Sequence, residues 1–151
     1  MIKTYKLLFL LVFLVSCNSN NKKNSQADYS INKETTALEP QLKDSYNRGK
    51  LVYDNMCITC HMSNGEGAPK VFPPLAQSDY LKDNQESSIK GVKNGISGKI
   101  IVNGISYNSV MTPLGLSDEE VADVINYINN SWGNKFGKFV TAEDVTKVIK
   151  N

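Results

Sequence analysis

The sequence predicts an all-α domain with one short two-stranded ribbon. Three observations predict it. Apolar residues recur at helical spacing in three stretches, and two of these open on capping boxes. The one strand-like stretch, "KIIVNGISY", turns back through Asn103-Gly104, a dipeptide suited to tight hairpins. A long segment, "SNGEGAPKVFPPLAQSDYL", is punctuated by glycine and proline and predicts an extended loop with little regular structure.

The elements follow in order. "MIKTYK" carries Lys3 and Lys6 ahead of the apolar run "LLFLLVFLV", which is short for a bilayer span and reads as a signal peptide over residues 1–16. It ends in "LVSC", which resembles a bacterial lipobox, so Cys17 is expected to be lipidated and to begin the mature chain; the plainer alternative is a signal peptide with an incidental cysteine. Residues 17–43 are then a lipidated N-terminus and flexible tether, rich in Asn, Lys and Ser without a sustained apolar period. Such a tether spans about 25–30 Å root-mean-square. A folded domain is expected over 44–151. Its first helix takes in "DSYNRGKLVYDNM", with Asp44 or Ser45 as cap and Tyr46, Gly49 and Tyr53 at helical spacing. "ESSIKGVKNG" predicts a short helix ended by Gly95. "LSDEEVADVINYINNSW" predicts the clearest helix, capped by Ser117 and Glu120, with Val121, Val124, Ile125 and Ile128 on one stripe. Thr141 and Asp144 open a terminal helix holding Val145, Val148 and Ile149.

Composition narrows the function classes. With 40% hydrophobic and 21% charged residues in 151, the chain is globular, one domain plus some extra. Removing residues 1–16 takes Lys plus Arg from 17 to 15 against 15 Asp plus Glu, so the mature chain is formally neutral. No basic patch argues for nucleic acid.

The chemistry is concentrated in "CITCH", Cys57 to His61. A structural zinc site wants four Cys or His ligands. The chain offers Cys57, Cys60 and His61 with no second cluster, and adjacent Cys60 and His61 would share one tetrahedral ion awkwardly. A thiol–disulfide site of the thioredoxin kind wants a surrounding βαβ pattern, which the sequence lacks. C-x-x-C-H is, by contrast, the attachment signature of c-type haem. Two thiols three apart add to the two vinyl groups of one porphyrin edge, and the next residue lies where its imidazole reaches iron. The export signal agrees, because this attachment occurs outside the cytoplasm.

A sixth iron ligand must come from elsewhere. His61 is the only histidine, which excludes a second imidazole from this chain. Met1 leaves with the signal, and Met56 and Met62 flank the attachment motif too closely to cross the haem. Met111 remains, the alternative being a methionine that merely fills core. A ligating histidine usually donates its second ring nitrogen to a carbonyl. Pro73 is the expected acceptor, held extended by Pro74 behind it.

"CITCH", "GEGAPKVFPPLAQSDYL", "GKIIVNGISYNSVM" and "LSDEEVADVINYINNSWGN", in that order, resemble the monohaem class I cytochromes c. They are most similar to the small domains that accompany bacterial copper nitrite reductases and quinoprotein dehydrogenases. The resemblance implies the class I cytochrome c fold, helices around one covalent haem c, with Gly49 and Tyr53 crossing near Tyr127. It supports Cys57 and Cys60 as thioether sites, His61 and Met111 as axial ligands, and Pro73 as the carbonyl partner. Thr112 departs from the pattern, standing where these domains more often have proline.

The expectation is therefore a one-electron carrier rather than an enzyme. It is tethered through Cys17 to the periplasmic side of a bacterial membrane, with Asn18 favouring the outer one. Its partners are expected to be redox proteins: a reductase, an oxidase or a dehydrogenase. The competing expectation is a gas-binding or sensor haem whose methionine is displaced. A peroxidase would want acid–base residues over an open haem face, and the single histidine is already used.

Overall fold

The computed structural model describes residues 33–151, with side chains from residue 40 onward. The signal peptide, Cys17 and most of the tether lie outside the described residues. Six helices and a two-stranded ribbon follow one another: α1 Lys33–Met56, α2 Ile58–His61, α3 Asp79–Asp83, α4 Gln85–Asn94, β1 Ile100–Val102, β2 Ile105–Tyr107, α5 Asp118–Asn129 and α6 Ala142–Lys150.

The first helix differs from its expected start. It begins at Lys33, inside the segment 17–43 read as tether, and passes through Asp44 and Ser45 without a cap there. The reason is local. Residues 33–43 contain no glycine and are mostly straight-chain helix formers, and Pro40 removes one N–H donor without ending the helix. Ser45 is free for another task. It is buried and donates its Oγ–H to Asp123 Oδ1 at 2.6 Å.

The main packing is α1 on α5. Gly49 is the point of contact: a Cβ there would lie 1.9 Å from the Asp123 carbonyl oxygen and 2.9 Å from Tyr127 Cβ. Tyr46, Tyr53, Tyr127 and Trp132 pack around that crossing, with ring centroids 4.9–5.5 Å apart. Such tilted pairs add to simple burial. On the flank, Arg48 reaches Asp123 through Nε at 2.6 Å and Nη2 at 2.8 Å.

The α5 stripe is as expected. Val121, Val124, Ile125 and Ile128 are all buried. Ser117 and Glu120 form the capping box, and Thr141 and Asp144 form the second on α6. Buried Asn126 stitches α6's approach to this core. Its side-chain amide donates to the Val140 carbonyl at 2.8 Å and to Ser45 Oγ at 2.9 Å, and its Oδ1 accepts the Val140 N–H at 2.9 Å. Each of those backbone groups would otherwise be buried unpaired.

The ribbon pairs Ile100 with Tyr107 and Val102 with Ile105. Asn103 and Gly104 both have positive φ, 51° and 74°, as a type I′ turn requires. The expected long loop holds as far as Gln77. It then gives way to α3, capped by the Ser78 hydroxyl, which accepts from the Leu81 N–H. Asp79 and Asn103 clamp ribbon to helix by a reciprocal pair: Asn103 N–H to Asp79 Oδ1 at 2.7 Å, and Asp79 N–H to Asn103 Oδ1 at 3.0 Å.

Gly49→Ala is expected to destabilise the domain by about 3 kcal/mol, the upper end of overpacking costs, because the obstacle is backbone. Guanidinium unfolding of the variant beside wild type measures it. A cost below about 0.5 kcal/mol would mean that the helices can part at this point without penalty.

Candidate haem site

Cys57 follows directly on α1, and α2 carries Cys60 and His61. The chain turns here because α1 ends at Met56 and a new helical turn restarts at Ile58, so the two thiols and the imidazole gather at one corner. Both cysteines are free thiols. Cys57 is buried, and burial pushes its thiol up to about 11, with the neighbouring Cys60 adding in the same sense. His61 is only 9% exposed. Burial lowers its pKa, partly opposed by the Pro73 carbonyl, so the ring is neutral at physiological pH.

The loop behind the motif is built to meet that ring. His61 Nδ1 lies 3.0 Å from the Pro73 carbonyl oxygen. A neutral imidazole that donates there must present Nε2 as a bare lone pair. Gly67 lets the two segments approach. Its φ is +62°, and a Cβ would sit 2.4 Å from the Phe72 carbonyl oxygen and 2.7 Å from that of Pro73. Trp132 backs the same loop. It packs on Gly65, where a Cβ would meet its ring at 2.6 Å, and donates from Nε1 to the Ser63 carbonyl at 3.2 Å. Asn134, a residue the sequence reading passed over, donates to the Leu75 and Ile128 carbonyls at 3.0 and 2.8 Å and accepts the Gln77 N–H at 2.7 Å. The "WGN" triplet after the long helix was the available signal.

Met111 stands between the ribbon and α5. An isolated antiparallel bridge fixes its backbone: Ile96 N–H to the Met111 carbonyl at 2.8 Å and Met111 N–H to the Ile96 carbonyl at 2.9 Å. Gly95, at φ +81°, makes room, since a Cβ there would lie 2.5 Å from the Met111 carbonyl oxygen. Lys93 holds the far end of the loop, reaching the Leu116 carbonyl and Asp118 at 2.7 Å each. Ser109 secures the near end by donating to the Val71 carbonyl at 2.6 Å. Thr112 in place of proline therefore sits in a loop anchored at three points. No sequence signal pointed to Ile96.

Cys57, Cys60, His61, Pro73 and Met111 line one cavity of about 1000 Å³, its open mouth included. Its remaining walls are mostly apolar, with Phe72, Leu75, Val102, Val124, Ile125 and Ile128 among them. Two thiols, a poised imidazole nitrogen and a thioether in one apolar space suit a haem on chemistry. The zinc alternative lacks a ligand set: among the described residues no group of three or more His, Cys, Asp and Glu side chains gathers to hold a metal ion.

A mostly helical domain with a short antiparallel ribbon around this cavity is the architecture of a small haem-carrying electron-transfer protein. Residues 46–132 match the Cytochrome c family, and the chain belongs to it. Cytochrome c-552 of Thermus thermophilus is 41% identical over 101 residues, covering 61% of this chain and 77% of that protein. The cytochrome c subunit of alcohol dehydrogenase (quinone) from Gluconacetobacter polyoxogenes is 32% identical over 128 residues, 82% of this chain. This chain spans 27% of that subunit's length. Cytochrome c-554(548) of Halomonas halodenitrificans is 33% identical over 78 residues, 49% of this chain and 82% of that protein. The cofactor is one covalent haem c, and the role is haem-based electron transfer.

Gly67→Ala is expected to push the Pro73 carbonyl away from the His61 ring. The ring N–H resonance should move upfield and exchange faster with solvent by about tenfold, while the rest of the spectrum keeps its dispersion. An unmoved resonance would mean that the loop absorbs the methyl group elsewhere.

Proposed function

We propose that this protein is a membrane-tethered one-electron carrier with His61 and Met111 as axial ligands of a haem held by Cys57 and Cys60. The observation that carries it is the sharing of one apolar cavity by the two thiols, the poised His61 nitrogen and the Met111 side chain. The haem supplies a one-electron couple at its iron. Everything else falls to the chain. The Pro73 carbonyl fixes the tautomer and direction of His61 and raises its basicity. The Ile96 bridge, Lys93 and Ser109 hold the methionine loop in register. The apolar walls exclude water, which favours the less charged state of the site and raises the potential, as methionine ligation does. With both axial positions taken from the protein, no position is left for a substrate, which supports a carrier rather than an enzyme.

The partner class is a redox protein, with a dehydrogenase favoured. Supporting this are the relatives that are cytochrome c subunits of dehydrogenases. The anchor is Cys17, on the strength of "LVSC" behind a basic and apolar leader. The side is periplasmic, with the outer membrane favoured by Asn18.

The test is the absorption spectrum of the reduced mature protein before and after CO. The expected wild-type spectrum is low-spin and unchanged by CO. Met111→Ala should lower the midpoint potential and let CO bind. If wild type itself binds CO readily, the gas-binding reading replaces this one. An unchanged potential and ferric spectrum in the variant would remove Met111 from the site. Cys17→Ala should move the protein from the membrane pellet to the soluble periplasmic fraction almost completely; retention in the pellet would place the anchor elsewhere.

A further inference from the structure

The family match ends at residue 132, and the structure adds one helix beyond it, α6. The Thr141–Asp144 capping box fixes its start, and Asn126 fixes its approach by holding the Val140 backbone. Val145 is buried in the core, and Val148 and Ile149 pack half-buried beside it. The helix lies on α5 and α4. Its apolar side covers the core. One polar side chain, Thr146, reaches towards the anchor of the methionine loop.

Thr146 Oγ1 lies 2.6 Å from Asp118 Oδ2 and 3.1 Å from the Ala142 carbonyl oxygen. A hydroxyl has one proton, and the shorter contact, to a carboxylate, takes it. Asp118 Oδ1 accepts from Lys93 Nζ at 2.7 Å, and the same ammonium donates to the Leu116 carbonyl at 2.7 Å. A single line of contacts therefore runs from α6 to the Met111 loop, through the first turn of α5 and the last turn of α4. Helix dipoles favour both charges where they stand, since Asp118 opens α5 and Lys93 closes α4. The Lys93 bond, and after it the Thr146 hydroxyl, hold the Asp118 carboxyl below the usual carboxylate range. The Lys93 and Asp118 side chains are 24% and 32% exposed, so solvent screens this pair less than the exposed Lys147–Glu143 pair on α6. The same end of α4 leads into Ile96, whose bridge holds Met111 itself.

We propose that α6 is a strap for the Met111 loop, with Thr146 and Asp118 as positioning residues that hold Lys93 on the Leu116 carbonyl. This rests on the reading of Met111 as an axial ligand. A lysine side chain is long and has many rotamers, so a single carbonyl does not keep it in place. Asp118 restricts it from the other side, and Thr146 fixes which way the Asp118 carboxylate faces. A thioether is a neutral and weak donor. It stays at its post only as long as its loop does. The strap acts on how often that loop opens, and through it on the access of competing ligands. No covalent bond is made or broken.

The experiment uses the full-length, haem-loaded protein with Thr146→Val, Thr146→Ser and Lys93→Met. Valine keeps the shape of threonine and removes the hydroxyl, whereas serine keeps the hydroxyl. One readout is hydrogen exchange at the Ile96 and Met111 amides. The other is the rate at which imidazole displaces methionine from the ferric protein, followed at the methionine-to-iron charge-transfer band. Thr146→Val is expected to speed both by about tenfold, because a hydrogen bond to a charged group is lost, while the α1 amides exchange as in wild type. Lys93→Met, which removes the anchor itself, is expected to speed both further, and Thr146→Ser to match wild type. If Lys93→Met does not fold, the two threonine variants decide. Wild-type rates in Thr146→Val would overturn the proposal. So would equal acceleration at every amide, which would make α6 a general support of the core. Acceleration in Thr146→Ser as large as in Thr146→Val would overturn it too, by assigning the effect to the methyl group. A wild-type ferric spectrum without the charge-transfer band would overturn Met111 ligation instead, and amide exchange would still decide the strap.

Discussion

The contact of α1 with α5 at Gly49 is the constraint from which the site follows. With only a hydrogen at that position, the backbone of one helix rests on the carbonyl of the other. The crossing fixes where α1 ends and so where Cys57 emerges. It also sets the wall that α5 presents, because Val124, Ile125 and Ile128 face the cavity from the same helix. A wider crossing would carry the thiols away from that wall. The four aromatic rings around the crossing and the Arg48–Asp123 pair on its flank hold that distance from several sides. The exposed Arg48 adds less than geometry alone would suggest, since solvent screens half of the pair.

A second principle runs through the loops. Nearly every polar side chain near the cavity is already bonded to the backbone. Ser78, Ser88 and Ser109 are all spent this way, and Tyr53, fully buried beside Cys57, donates to the Met62 carbonyl at 2.6 Å. The consequence is electrical as well as mechanical. A site whose polar groups are committed to fixed partners has a low local dielectric, and there charge is expensive. Burial acts the same way on His61 and Cys57, lowering the one pKa and raising the other, always toward the neutral form. A haem in such surroundings favours its reduced, less charged state.

Much of this was legible in the sequence, and what was not has physical reasons. The two capping boxes, the Asn103-Gly104 turn and the α5 stripe are local signals, set by residues within a few positions of each other, and each appears where expected. The 3.0 Å approach of His61 to Pro73 was also anticipated, because the proline pair restricts its own backbone. The start of α1 was not. Asp44 and Ser45 are good caps by type, but a cap is needed only where a helix must begin, and the residues before them are able to continue it. Ser45, Asn126 and Asn134 were invisible as anchors because their partners are distant in the chain: Asp123, Val140 and Leu75. The Ile96–Met111 bridge is the same case. Two residues of a single backbone bridge have no periodicity for a pattern to catch.

That bridge bears on the domain as a whole. The Met111 loop lacks the proline that would stiffen it from within, yet it is held at Ile96, at Leu116 by Lys93 and at Ser109. All three anchors are contacts within the protein, so the loop is preorganised by the chain itself. The cavity walls are different. Apolar space left void costs about 24 cal/mol per Å³, because the lining atoms lose their contacts on one side. A filling of matching size and polarity removes that cost. The frame of the site comes from the helix crossing and the loop anchors, while the stability of its interior comes from the group that fills it. A covalent link suits that division, since a filling on which the fold depends must not be free to leave.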